Sequence, residues 1–228
     1  MLDLPPAPET ATTLFGSRLP LAQRYAELLA TDGVVRGLIG PREAPRLWDR
    51  HLLNCAVVAE LIPRDAGVMD VGSGAGLPGV VLAIARPDLS VTLLEPLARR
   101  TAFLDEVVEA LGLDQVTVVR ARAEEYREGR TSADVVVSRA VAPLDRLASW
   151  CLPLAVEQGQ VLALKGETAA TEAEEHAAAV QRLGGSAPTV KQCGVGVIDP
   201  PTTVVTFDRV RLVDPSGRGA KAANRRRR

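Results

Sequence analysis

Between residues 67 and 183, short β-branched runs alternate with longer segments rich in Ala, Leu, Glu and Arg. The runs are GVMDV, SVTLLE, VTVVRA, ADVVVS and GQVLALKG, and most are apolar on consecutive positions, as in strands covered on both faces. Such alternation is typical of a central parallel sheet with helices on its faces. After residue 185, TVKQCGVGVI and TTVVTFDRVRL are joined by a DPP turn with no helix between them. The sequence therefore predicts an α/β fold of about seven strands, mostly parallel, with an antiparallel last strand.

The segments before this alternation have helical periodicity instead. LPLAQRYAELLATDG predicts one helix that stops at glycine, and a second is predicted from 43 to 62, where Pro63 follows. Within the α/β region, helices are predicted over 144–157 and 168–183. We expect four regions: a flexible N-terminus over 1–17, an N-terminal helical cap over 18–63, the main domain over 64–212 and a disordered basic tail over 213–228.

Composition places the chain among cytoplasmic proteins. Hydrophobic residues make up 46% and charged residues 24%, and no apolar run approaches the roughly 20 residues of a membrane span. The N-terminus lacks the basic-then-apolar order of a signal peptide. Three separated cysteines form no CxxC pair, so neither disulfides nor a metal site is expected. We expect a cytoplasmic monomer without metal.

A glycine-rich turn, VMDVGSGAGLPG over 68–79, follows the first predicted parallel strand. In open α/β sheets this position lies at the carboxyl edge, where ligands bind, and glycines allow close backbone approach. Residues 74–79 match GxGxxG, and Glu95 at the end of the next strand is where a ribose-binding acid belongs. No Gly-Lys-Ser/Thr occurs, which excludes a Walker loop. The glycines alone do not distinguish NAD from another adenosine cofactor.

Three acids favour S-adenosylmethionine over NAD. Asp70 precedes the turn, and a carboxylate there suits a cationic ligand while repelling a pyrophosphate. Glu95 and Glu124 follow the second and third strands, and no second domain large enough for a hydride acceptor follows. On this interpretation Gly72, Gly74 and Gly76 supply the close backbone approach.

The chain also resembles a known family. The stretches RLWDRHLLN, DVGSGAGLPG, VVSRAVAPLDRLASW and ALKGE, in this order and spacing, are similar to the bacterial small-subunit ribosomal RNA guanine-N7 methyltransferase family, RsmG, also called glucose-inhibited division protein B. The resemblance covers roughly residues 20–210. It implies a Class I S-adenosylmethionine-dependent methyltransferase, Rossmann-like, that methylates N7 of a guanine in the decoding-region loop of 16S rRNA, as free RNA or in the 30S subunit. The cofactor contacts it implies fall on Gly72, Leu77, Ala123, Glu124 and Arg139.

The residue types agree with an N7 acceptor. The (D/N)PP(F/Y/W) motif of amine methylation is missing after the fourth strand, and guanine N7 carries an in-plane lone pair that requires no general base, so positioning should suffice. Arg139 and Lys165, at the ends of strands four and five, are candidates to bind guanine O6 or phosphate, and Arg139 is alternatively a partner of the cofactor carboxylate. His51 is expected to face the same cleft, with a core role as the alternative.

Other candidates have a structural alternative that the sequence favours. Trp48 and Trp150 can stack on a base, but their Leu neighbours favour core packing. Arg42, Arg46, Arg99 and Arg100 can form a phosphate-binding rim, but a solvated helix face is the simpler interpretation of each. A same-fold methyltransferase of small molecules or proteins, an NAD-binding Rossmann protein and a non-catalytic RNA-binding module remain as rivals.

The C-terminal residues 216–228 carry six cations and no carboxylate, and removing them from the formal net charge of −1 leaves −7. A basic tail on an acidic body favours contact with a polyanion, whereas a solvated tail without a partner is the alternative. We expect deletion of 218–228 to weaken rRNA binding and flatten its salt dependence, because fewer counterions are released. Filter binding at several salt concentrations measures this. Affinity for S-adenosylmethionine should not change, and its loss would contradict a role confined to RNA.

Overall fold

The computed structural model of the protein describes residues 4–126, 133–139, 142–211 and 213. Its strands are β1 Gly67–Val71, β2 Ser90–Leu94, β3 Val116–Val119, β4 Ala133–Arg139, β5 Ala155–Leu164, β6 Thr189–Cys193 and β7 Thr202–Asp208. Its α-helices are α1 Glu9–Phe15, α2 Leu19–Leu28, α3 Leu53–Ala56, α4 Gly79–Ala85, α5 Ala98–Leu111, α6 Leu144–Cys151 and α7 Ala169–Arg182. Shorter 3-10 turns (Gly16–Arg18, Ala44–Arg46, Val57–Leu61, Leu152–Leu154) and π turns (Leu29–Gly33, Trp48–Leu52) extend or join these helices.

The strands form one seven-stranded sheet in the order β3-β2-β1-β4-β5-β7-β6. Strands β1 to β5 pair in parallel, and β7 runs antiparallel to both β5 and β6. The predicted architecture is confirmed, including the antiparallel pair at the end. Strand order reverses between β1 and β4, so the carboxyl ends of these two strands flank the point where open α/β sheets bind ligands.

Alternating residues of the central strands feed two apolar clusters, one on each face of the sheet. Val68 and Val135 pack with the N-terminal helices, α4 and α5, while Met69 and Val136 pack with α6 and α7. This explains the consecutive apolar positions, since each strand is covered on both sides. The N-terminal helices therefore share a core with the sheet. Among the described residues, no helix is long and apolar enough to cross a membrane.

The N-terminus differs from the expectation. Residues 9–15 form α1, whose Ala11 and Phe15 are buried, and the Trp48 indole donates to the Pro5 carbonyl at 3.1 Å. The predicted loose segment over 1–17 is therefore wrong for these residues, because their apolar side chains cover the helical run over 44–61. That run confirms the helix predicted at 43–62. The basic tail predicted over 213–228 lies outside the described residues, except for residue 213.

The helix predicted over 144–157 is shorter in the structure. It consists of α6 and the turn Leu152–Leu154, and β5 begins at Ala155, which pairs with Ala133 of β4. The Leu, Ala and Glu content of 154–157 favours helix locally, but pairing with a central strand overrides local propensity.

Gly79, the first residue of α4, lies directly against β1 and β2. A Cβ built at this position would lie 2.7 Å from Asp70 Oδ2 and 2.9 Å from Asp70 Cβ. We expect Gly79→Ala to lower the free energy of unfolding by about 1–3 kcal/mol through overpacking, measured by urea denaturation. Gly166→Ala is the matched control, since nothing lies within 4 Å of its added Cβ, and it should change stability by less than about 0.5 kcal/mol. Equal effects of the two substitutions would contradict the packing argument.

Candidate active site

The turn between β1 and α4 depends on glycine at several positions. Gly74 and Gly76 have φ of 59° and 100°, in the left-handed region that favours glycine. A Cβ at Gly76 would also lie 2.8 Å from the Tyr25 hydroxyl. A side chain from another element stabilises the turn, because the Tyr25 hydroxyl of α2 donates a hydrogen bond to the Ala75 carbonyl at 2.7 Å. Burial raises the pKa of Tyr25, so its hydroxyl remains a donor.

Glu95 joins the turn to the loop after β2. One carboxylate oxygen accepts from the Gly74 amide at 3.0 Å, and the other accepts from the Leu97 amide at 3.0 Å. The Arg100 guanidinium lies 3.5 Å from the same carboxylate, and the Glu95 side chain is only 1% exposed. A single buried acid thus connects two loops at the carboxyl edge of the sheet.

A cavity of about 590 Å³ opens at this edge. The segments after β1, β2 and β3, here called the glycine-turn wall, contribute Gly72, Gly74, Leu77, Glu95, Ala123 and Glu124. The segment between the N-terminal helical runs contributes Leu38 and Ile39, and the second run contributes His51. The end of β4 and helix α6 contribute Arg139, Arg146 and Trp150. A volume of this size suits a cofactor-sized ligand. The structure therefore brings together eight of the predicted site residues: Gly72, Gly74, Leu77, Glu95, Ala123, Glu124, Arg139 and His51.

Asp70 does not line the cavity. Its carboxylate is fully buried beneath the turn, and Oδ2 accepts from the Gly79 amide at 2.9 Å. Oδ1 has no hydrogen-bond partner among the residues that the structure describes. The position is explained by the strand alternation, because Asp70 shares a face with Val68 and so points under α4. Asp70 supports the turn from below, and direct contact with a cationic ligand does not follow from its placement.

Lys165 and Gly76 also lie away from the cavity lining. Lys165 donates to the Ala142 carbonyl at 2.7 Å and pairs with Glu172 of α7 at 2.8 Å. Its ammonium is therefore engaged in holding the loop after β4 against α7. Gly76 allows close packing with Val80 and Tyr25.

Arg139, at the end of β4, contacts the second helical run. Its guanidinium meets Nδ1 of His51 and lies 3.3 Å from Cys55 Sγ. The other imidazole nitrogen, Nε2, lies 2.9 Å from Glu43 Oε2. Burial, followed by the charge of Arg139, lowers the pKa of His51, so its neutral form is favoured. His51 therefore lines the cavity, while both of its ring nitrogens are held by contacts with Arg139 and Glu43.

Trp150, for which the sequence favours core packing, is partly buried against the core and also lines the cavity. α6 buries Leu144, Leu147 and Ala148, which leaves the Arg146 and Trp150 side chains one turn apart on its other face. The Arg146 guanidinium lies 5.0 Å from the Trp150 ring centroid, within cation–π range. The helical periodicity of the sequence indicates this position, because Trp150 does not fall at the spacing of the buried residues of α6. Trp48 is buried, as expected. Arg100 is one of the arginines considered for a phosphate-binding rim, and it lines the cavity.

The donor set fits S-adenosylmethionine. Glu95 and Glu124 are carboxylates that can accept from ribose hydroxyls or meet an amine, and Leu77 and Ala123 offer apolar surface for an adenine. No lysine lines the cavity among the described residues, so the cation that a Walker loop uses is missing. Nor do the described residues contain a group of three or more side chains that could hold a metal ion. The sheet order and this site define a Class I S-adenosylmethionine-dependent methyltransferase.

Comparisons with solved structures agree on the fold. M. jannaschii TYW2 in complex with AdoMet superposes with a TM-score of 0.55 at 16% identity, covering 71% of this chain and 76% of that one. A SAM-dependent O-methyltransferase from Thermotoga maritima gives a TM-score of 0.53 at 16% identity, covering 71% and 66%.

Sequence comparisons identify the family. The model of a family described as "rRNA small subunit methyltransferase G" matches residues 18–198. Curated proteins named ribosomal RNA small subunit methyltransferase G are 67% identical in Salinispora arenicola, over 93% of this chain and 91% of that protein, and 55% identical in Streptomyces avermitilis, over 99% and 98%. The chain belongs to the rRNA small subunit methyltransferase G family.

Asp70 makes stability depend on pH. Burial raises its pKa from the ordinary value of 3.8 to about 7. The folded state therefore holds this proton more tightly than the unfolded chain, so the contribution to stability is complete below the unfolded pKa and lost as pH rises through the folded pKa. Asp70→Asn keeps an acceptor for Gly79 and does not titrate. Between pH of about 4.5 and about 8, we expect the unfolding free energy of the wild type to fall relative to the variant by at most about 4 kcal/mol.

Urea melts of both proteins at the two pH values measure this difference, because other titrating groups are common to the pair. Parallel pH dependences would show that Asp70 does not titrate in this range.

Proposed function

We propose that this chain transfers a methyl group from S-adenosylmethionine to N7 of a guanine in the decoding-region loop of 16S rRNA. The observation that carries this proposal is the set of side chains that different strand ends bring to one cavity. Glu95 and Glu124, the only acids among the described lining residues, lie on the side of the glycine turn. The end of β4 and helix α6, here called the acceptor wall, present Arg139, Arg146 and Trp150, which suit an electron-rich base attached to phosphates.

Among the described residues of the acceptor wall, no side chain is available as a general base, and N7 needs none. The lowered pKa of His51 favours its neutral form, but its two ring nitrogens are engaged with Arg139 and Glu43. An exocyclic amine would lose a proton on methylation, whereas N7 uses an existing lone pair. This arrangement supports a heterocyclic nitrogen acceptor and catalysis by positioning and exclusion of water.

The glycine-turn wall holds the donor in this proposal. Glu95 and Glu124 bind hydroxyl or amine groups of the cofactor, Leu77 and Ala123 contact its apolar ring, and the backbone at Gly72 and Gly74 approaches it closely. When bound, S-adenosylmethionine supplies an electrophilic methyl group on a sulfonium. Arg139, on the acceptor wall, has a guanidinium that can bind the cofactor carboxylate or guanine O6.

The partner we infer is small-subunit rRNA, free or in the 30S particle, and the enzyme acts in the cytoplasm as a monomer without metal. Arg100, Arg122 and Arg146 line the cavity, where they can contact phosphates that flank the target base. Lys165 acts indirectly in this proposal, by holding the loop that follows Arg139.

Two measurements test the function. Tritium transfer from labelled cofactor to 30S subunits and to naked 16S rRNA, followed by nucleoside analysis, should place the label on 7-methylguanosine. Label on an amine or a ribose would overturn the acceptor assignment, and label on protein or a small molecule would replace the substrate class. Calorimetry should detect saturable binding of S-adenosylmethionine and none of NAD, and the reverse result would exclude methyl transfer.

Trp150 is the aromatic surface proposed to stack on the target guanine. Stacking contributes about 1–3 kcal/mol per base, so Trp150→Leu should lower kcat/KM for rRNA roughly 5- to 150-fold, while Trp150→Phe should retain most of it. Both variants keep an apolar side chain at this position of α6, and S-adenosylmethionine affinity should not change. Ser149→Ala, at an exposed neighbour on the same helix, is the control. Equal kcat/KM for the Leu and Phe variants would rule out stacking.

A further inference from the structure

We propose that Glu43 is a positioning residue for methyl transfer: it orients His51 and fixes its tautomer, and His51 in turn holds the Arg139 guanidinium in the cavity wall. The proposal deepens the proposed function and rests on it only for the role of Arg139. It joins three parts of the chain that are distant in sequence: the turn before the second helical run, the π turn Trp48–Leu52 and the end of β4.

The hydrogen-bond chemistry determines the tautomer. A guanidinium has donors and no acceptor, so the Nδ1 that meets Arg139 must be the unprotonated nitrogen of the ring. The proton of neutral His51 is therefore on Nε2, from which it is donated to Glu43 Oε2 at 2.9 Å. A second ring proton would place an N–H on Nδ1 against the cation. Carboxylate, imidazole and guanidinium thus form one directional chain.

The surroundings of Glu43 favour its ionised form in this hydrogen-bonded chain of side chains. The hydrogen bond from His51, together with the charge of Arg50, lowers the pKa of Glu43. Arg50 binds the same carboxylate at 3.0 Å from its exposed side. A carboxylate that accepts from one imidazole nitrogen raises the basicity of the other, which strengthens the bond that His51 accepts from Arg139.

Removal of Glu43 releases the ring. Nε2–H then lacks its partner, and rotation of the imidazole or transfer of its proton to Nδ1 presents Arg139 with a carbon or a second donor. The guanidinium keeps the weaker thiol contact with Cys55 at 3.3 Å and loses its defined position. The effect of Glu43 on catalysis must therefore pass through Arg139.

The tautomer can be read directly, because the chain contains only two histidines, His51 and His176. A long-range ¹H–¹⁵N spectrum of the full-length protein should contain two imidazole patterns, and His176→Gln assigns them. At neutral pH we expect His51 to carry one proton, on Nε2. A proton on Nδ1 or on both nitrogens would overturn the proposal without any variant of Glu43 being made.

A double-mutant cycle tests the coupling. Glu43→Leu should lower kcat/KM for rRNA methylation about 10- to 100-fold, the usual effect of losing a partner behind a functional side chain, and should broaden or mix the His51 tautomers. In an Arg139→Ala background the same substitution should have almost no further effect, because the residue it positions is gone. Glu43→Gln, which keeps an acceptor, should lose less activity and retain the Nε2–H form.

Two controls separate positioning from stability. Glu106→Leu removes a carboxylate from another arginine pair, with Arg36, outside the cavity, and should leave kcat/KM unchanged. Arg50→Ala removes the exposed partner of Glu43 and should leave the His51 tautomer unchanged. Additive effects of Glu43→Leu and Arg139→Ala would overturn the proposal. If the wild type failed to methylate rRNA, the proposed function would fail, but the tautomer measurement would still decide the role of Glu43 toward Arg139.

Discussion

The turn between β1 and α4 is held by three side chains from three separate parts of the chain, and the whole cavity depends on this support. Asp70 holds the first amide of α4 from below, Glu95 accepts from the Gly74 amide at the side, and Tyr25 donates to the Ala75 carbonyl from the N-terminal helices. Left-handed glycines would otherwise leave the turn free to adopt many conformations, since glycine loses more backbone entropy on ordering than any other residue. Buried hydrogen bonds to backbone atoms make one conformation the stable one.

The N-terminal helices belong to the site as much as to the core. Tyr25 fixes the glycine turn, and His51 meets Arg139, so each of the two helical runs touches the edge of the sheet where the cavity opens. The Tyr25 contact is buried and the His51 contact is partly buried, and both are polar. They are therefore sensitive to exact placement, because an unpaired partner would cost more than the bond contributes. Docking of these helices is therefore a condition for an ordered cavity, and the cap is a wall of the site.

The sequence predicts that Asp70, Glu95 and Glu124 lie beside a ligand, because each comes at or after the end of a strand. Glu95 and Glu124 do line the cavity, but Asp70 lies one residue inside β1 on the face that α4 covers. The same limit applies to the two cations at strand ends, since Arg139 borders the cavity whereas Lys165 is paired with Glu172. The position of a residue in the sequence does not reveal which neighbouring group its side chain contacts.

The sequence by itself determined the layered α/β architecture, the position of the glycine turn and the acidic residue at the end of β2, because hydrophobic period and glycine placement are local properties of the chain. Only the tertiary structure decided that α1 is ordered, that Trp150 faces the cavity and that Glu43, His51 and Arg139 form one hydrogen-bonded chain. Those outcomes depend on pairings between residues as many as 88 positions apart, and no local pattern encodes which partners meet.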